Sequence, residues 1–134
     1  MSQHQTALVY TMVLVSAADS DMTDSELKTI GEIVSHLPVF DGYNLEQLPK
    51  EAEACAELLS EDDGLEKVLS KIVTTLPEKL KETAYAVALD VAAADAAVSQ
   101  EELRLLEMLR HRLAVGRLPA AAIERGTRAR YTRF

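Results

Sequence analysis

The 134-residue chain has a single cysteine, so no internal disulfide can form and no Cys-x-x-Cys pair is present for metal or redox work. The setting of that residue, Ala54-Cys55-Ala56 in an apolar stripe, marks its thiol as a small buried hydrophobe with no reactive role. Long hydrophobic runs are also missing. The longest uncharged, mostly apolar run, Thr6 to Ala18, falls short of the roughly 20 residues that a membrane-spanning helix needs. The opening Met1-Ser2-Gln3-His4-Gln5 places no basic segment ahead of that run, so a secretory signal is not expected and a cytoplasmic location is. His-Glu-x-x-His, Gly-x-Gly-x-x-Gly and a phosphate-cradling glycine loop are all absent. Glu32 and His36, like Glu107 and His111, are four residues apart where a di-iron bundle uses three, and both pairs read as surface neighbours on a helix. Neither an enzymatic activity nor an organic cofactor is expected.

Size and composition suit one self-sufficient domain over residues 1–134: hydrophobic residues make up 48% and charged residues 27%, a globular rather than a disordered balance. The net charge of −8 argues against nucleic acid as the general partner, because phosphate binding needs a basic surface. The charge is unevenly spread. All six lysines precede residue 82 and all eight arginines follow residue 103. Residues 1–103 hold 20 acids against 6 bases, whereas the remainder holds 2 acids against 8 bases. The basic C-terminal segment, 116–134, with Arg125, Arg128, Arg130 and Arg133, either docks on the acidic body or stays solvated; the other reading is a peripheral contact with an anionic partner such as a lipid surface.

Apolar residues recur with helical period throughout, and no segment alternates strictly as a strand would, so the expected fold is all-α. Leu27, Ile30, Val34 and Leu37 make one stripe on a second helix; Leu48, Ala52, Cys55 and Leu59 make one on a third; Leu65, Leu69, Ile72 and Leu76 make one on a fourth. A first helix over about 5–19 and a fifth over about 78–95 are apolar over most of their circumference, which predicts a central place in the bundle. Each of the four prolines follows a leucine and marks a helix end or start: Pro38 closes the second helix, and Pro49, Pro77 and Pro119 suit the first turn of the next. A sixth helix over about 100–114 is expected to end near Gly116, and a short seventh to run over about 119–126.

An offset of 76 residues lays Val15-Ser16-Ala17-Ala18-Asp19-Ser20-Asp21-Met22-Thr23-Asp24-Ser25-Glu26-Leu27 on Val91-Ala92-Ala93-Ala94-Asp95-Ala96-Ala97-Val98-Ser99-Gln100-Glu101-Glu102-Leu103, with six of thirteen positions identical. The match predicts a compact bundle of about six to seven helices with an internal pseudo-twofold duplication, its units covering about 5–37 and 78–114. Thr23 with Glu26, and Ser99 with Glu102, have the spacing of capping boxes, in which hydroxyl and carboxylate satisfy open N–H groups at a helix start. Asp19 and Asp95 fit that explanation less well. Each is expected at a helix C-terminus, where a negative charge costs about 0.3–1 kcal/mol. Two readings stay open: caps with solvated charge, or Asp19, Asp21 and Glu26 converging on a hard cation such as Ca²⁺ or Mg²⁺. The spacing is not that of an EF-hand, since Glu26 is eighth from Asp19 and the sixth position is Asp24 rather than glycine.

These two motifs and their separation resemble the tellurite-resistance TerB-like family over roughly residues 5–115. The resemblance implies a bundle of about seven helices with pseudo-twofold symmetry. It also implies divalent-cation binding at Asp19, Glu26, Asp95 and Glu102, with Asp21 as a neighbour. The chain departs from the family pattern at Ser20 and Ala96, where glycine usually follows the first Asp. Two functions follow as expectations. One is a non-enzymatic, cation-responsive accessory domain of a stress or tellurite-resistance pathway; the other is a metal-free helical interaction module whose acidic surface meets a basic protein partner.

Overall fold

In the computed structural model, which describes residues 2–18, 22–94 and 98–134, seven α-helices account for most of the chain. They are α1 (Gln3–Ser16), α2 (Asp24–His36), α3 (Leu48–Leu59), α4 (Gly64–Thr75), α5 (Lys81–Ala94), α6 (Gln100–Arg112) and α7 (Arg117–Tyr131). Short 3-10 turns cover Pro38–Phe40, Leu45–Gln47 and Glu78–Leu80, and the described residues contain no strand. The all-α bundle read from helical periodicity is therefore the fold.

The two helices without a polar face are the centre. Every residue of α1 from Ala7 to Ser16 is buried, and α5 buries Ala84, Tyr85, Val87, Ala88, Val91 and Ala92. α1 packs against α5 on one side and against α3 and α4 on the other, while α7 lies along α5. Full burial of a side chain such as Leu8, Met12 or Leu14 stabilises the fold by about 1.5–3 kcal/mol. Most of the few polar groups inside are matched. The Thr11 hydroxyl donates to the Ala7 carbonyl at 2.8 Å, and the Gln5 amide donates to the carbonyls of Val39 and Asp41 at 3.0 and 3.2 Å, fastening the loop after α2 to α1.

The amphipathic helices lay their stripes on this centre, with one informative exception. Ile30 and Val34 of α2, Leu48, Ala52 and Cys55 of α3, and Leu69 and Ile72 of α4 are buried as their spacing predicts. Leu65 is not: it is 40% exposed, and Val68 takes the fully buried place on α4 instead. α4 starts abruptly because Asp63 is left-handed (φ 57°) and Gly64 passes against the end of α3. A Cβ at position 64 would sit 2.2 Å from the Leu59 carbonyl oxygen, so only glycine permits this approach of the two helices.

Four boundaries differ from those expected. α1 ends at Ser16 rather than about residue 19. α5 begins at Lys81 because the Leu80 N–H closes a 3-10 turn on the Pro77 carbonyl, which places Pro77 ahead of that turn rather than in the first turn of the helix. α6 does not end at Gly116. Its last turn closes through Val115 N–H to Arg110 C=O and Ala114 N–H to His111 C=O, both 3.1 Å, and Ala114 takes the left-handed position (φ 56°). Gly116 is the N-cap of α7, which runs to Tyr131 and well past the expected residue 126. This longer helix docks the basic segment on α5: Ala120 and Thr127 are buried, and Arg130 pairs with Asp90 at 2.7 Å. Arg125, Arg128 and Arg133 stay exposed.

α2 and α6 are both 13 residues long and start at Asp24 and Gln100, the separation at which the sequence matches itself. The histidines expected to pair with acids behave otherwise. His36 Nδ1–H donates to the Glu32 main-chain carbonyl at 2.6 Å, and His111 lies 3.4 Å from the Arg110 guanidinium.

Candidate functional site

Both capping boxes form. At the start of α2 the Glu26 N–H donates to Thr23 Oγ1 (3.2 Å), while Glu26 Oε1 accepts from the Thr23 N–H (2.8 Å) and from the Thr23 hydroxyl (3.1 Å). At the start of α6 the Glu102 N–H donates to Ser99 Oγ and Glu102 Oε1 accepts from the Ser99 N–H, each at 3.0 Å. Each carboxylate is thereby held at its turn by Oε1. The two differ in exposure: Glu102 is buried at 4% and Glu26 is only partly covered.

Of the five acids singled out for a cation, Glu26 and Glu102 are the ones whose positions can be given; Asp19, Asp21 and Asp95 lie outside the described residues. Among the described residues no group of three or more acids, histidines or cysteines is arranged to hold a metal ion. One polar atom near the first turn stands out. Ser16 Oγ, in the last turn of α1, is buried and has no hydrogen-bond partner among the described residues.

Described residues flanking both acidic turns border a common space. A cleft of about 860 Å³ opens between α6 and the α3–α4 hairpin. Val13 and Leu14 of α1, with Ala17 just past its end, form its floor. Ala56, Leu59 and Ser60 form one wall with Leu65, which explains why that leucine is left exposed. The opposite wall is a single stripe of α6, running Glu101, Arg104, Leu105 and Met108. Met22, just ahead of α2, and Gln100, the first residue of α6, both line it, so the exits of both turns reach the same cavity. Volume and apolar lining match a binding cleft, with polar groups confined to Ser60, Gln100, Glu101 and Arg104. Sequence reading found the acidic turns but not this cleft. Its sole sequence signal was Leu65, an apolar residue at the start of the α4 stripe.

Titratable groups elsewhere are tied up structurally. Burial pushes the Cys55 thiol up to about 12, and the residue is fully covered, so the inert role read from its neighbours holds. Burial, then hydrogen bonding to Glu51, raises Tyr43 well above the usual phenol range; Glu51 also accepts from the Thr6 hydroxyl at 2.6 Å. At the far end of α6, Arg112 holds Glu66 of α4 with two bonds of 2.7 and 3.1 Å, which lowers the Glu66 carboxyl below its usual value. That pair clips α6 to α4 beyond the cleft.

A helical bundle of this kind supports many functions, so sequence kinship decides more than shape. The sequence model of one family, described as tellurite resistance protein TerB, matches residues 5–124, nearly the whole chain. The chain belongs to the TerB family. The match spans α1 to α6 and enters α7, so both capped turns and the whole cleft lie inside the TerB region. No curated protein and no solved structure matched the chain. Among the described residues of this TerB domain, no helix is long and apolar enough to cross a membrane.

Proposed function

We propose that the chain is a non-enzymatic, cytoplasmic accessory domain of a tellurite-resistance response, and that it acts by holding a protein partner against its acidic body. The observation that carries this reading is the open apolar cleft at the acidic end of the bundle, a concave surface with no cluster of catalytic groups among its lining residues. The charge imbalance of residues 1–103 supports a basic partner. Copurification from tellurite-stressed cells at low salt tests it. A partner released by moderate salt is the expected result, since attraction between exposed charges is screened. A partner that stays bound at high salt, or none at any salt, contradicts the reading.

A second reading, implied by membership of the TerB family, is divalent-cation binding at the acidic turns. The capping boxes orient the carboxylates of Glu26 and Glu102 at the starts of α2 and α6. With Asp19, Asp21 and Asp95 they would hold Ca²⁺ or Mg²⁺, whose hard character suits carboxylate oxygen. The cation would neutralise the clustered acids and draw each turn together.

A further inference from the structure

We infer that the cleft between α6 and the α3–α4 hairpin is a receptor for a basic amphipathic helix of a protein partner. The inference rests on the partner-binding reading above and assigns that partner a shape, a charge and a place.

The walls decide the shape. Most of the lining lies on α1, α3, α4 and α6, whose mid-helix N–H and C=O groups are bonded internally, and the described residues offer no strand edge. An extended peptide laid in such a cleft would leave its own backbone unsatisfied as it lost water. A helix brings its backbone bonds already made and presents only side chains. Apolar residues at i, i+3 or i+4, and i+7 span about 10 Å along such a helix and would enter the space over Leu14 and Leu105. Met22 and Met108 supply flexible, polarisable surface that adjusts to side chains of different shape.

The rim decides the charge. On α6 the lining residues Glu101 and Arg104 offset one another, and Glu61 is paired with Lys67 at 2.9 Å. The acidic excess at the margin comes from exposed Asp62 and Asp63, which lie in the chain between the lining residues Ser60 and Leu65. That excess is the complement of a helix whose apolar stripe is flanked by lysines and arginines.

The test uses the full chain and three synthetic peptides of about 16 residues. One has leucines at i, i+3, i+4 and i+7 among lysines; the second has the same composition scrambled to destroy the stripe; the third replaces every lysine by glutamate. Amide NMR titration locates binding and fluorescence anisotropy measures affinity. The basic amphipathic peptide is expected to bind, to shift residues of α1, α3 and α6 that line the cleft, and to lose about tenfold or more in affinity against Leu65→Arg. Leu65 is already partly exposed, so this variant keeps the fold, and an unchanged circular-dichroism melt verifies that. Equal binding by the scrambled peptide overturns the inference but leaves an acidic, partner-binding surface intact. Equal binding by the glutamate peptide, or binding untouched by Leu65→Arg, also overturns it. Failure of all three peptides at low salt removes the partner-binding reading as well. Shifts produced by a dodecyl amphiphile and by none of the peptides would reassign the cleft to a small ligand.

Discussion

The Tyr85 phenol on α5 donates a 2.5 Å hydrogen bond to Glu124 Oε2 on α7, joining the central helix to the one that carries the basic segment. The phenol is buried at 3% exposure while its acceptor is exposed, so removing the hydroxyl leaves a carboxylate that water can reach. Tyr85→Phe is therefore expected to lower stability by about 1 kcal/mol rather than by the larger cost of a stranded buried charge. Urea unfolding of parent and variant measures this. Faster proteolysis within α7 should accompany it, and equal stability would show that the bond contributes nothing.

Ala114 occupies a left-handed position that glycine usually fills at the end of a helix. The Cβ makes that conformation costly, by about 1 kcal/mol. Ala114→Gly is expected to raise the unfolding midpoint and Ala114→Val to lower it, both with α6 unchanged. Parallel denaturation curves check the pair; a destabilising glycine would mean that the greater freedom of the unfolded chain outweighs the relieved strain.

Alkaline pH should act first through Cys55. Its thiol rises from 9.0 in the unfolded chain to about 12 in the fold because burial disfavours the thiolate. Below pH 9 both states hold the proton, so the contribution is fully present. Above pH 9 the unfolded chain releases the proton first, and stability falls by up to about 1.4 kcal/mol per pH unit until the folded thiol also ionises. Tyr43 and Tyr85, raised by burial and then by their carboxylate partners, add to the decline above pH 10. Urea midpoints at pH 8, 9 and 10 should drop for the parent, whereas Cys55→Ala, less stable overall, should stay nearly level between pH 9 and 10. Identical slopes would assign the loss to other groups.

Divalent cations bound at the acidic turns should stabilise the fold. Millimolar Ca²⁺ or Mg²⁺ should raise the melting temperature, and Asp19→Asn combined with Asp95→Asn should abolish the rise. Amide shifts confined to the two turns would place the ion. A melting temperature indifferent to both cations would leave Glu26 and Glu102 as caps alone.

Much of the bundle was legible because helical period, caps and proline positions act over a few residues. Thr23–Glu26 and Ser99–Glu102 formed the boxes that their spacing predicts, and the apolar α1 and α5 took the centre. Gly116 misled for an equally local reason: a glycine near a helix end suggests a left-handed cap, yet the strain fell on Ala114 because the last turn of α6 closes two residues earlier. The cleft was illegible in principle. It is made where α1, α3, α4 and α6 fail to close over Leu65 and Met108, and no spacing within one helix records the distance to another.

The contact at Gly64 bears on how such a cleft could evolve. One wall depends on a hydrogen atom standing where any other residue would drive a carbon into the Leu59 carbonyl. Relatives that keep this hairpin should keep glycine at the corner whatever they change along the groove, so lining residues can diverge toward new binders while the hinge of the wall stays invariant. A chain with alanine or a larger residue there would need a differently angled α4, and with it a groove of another width.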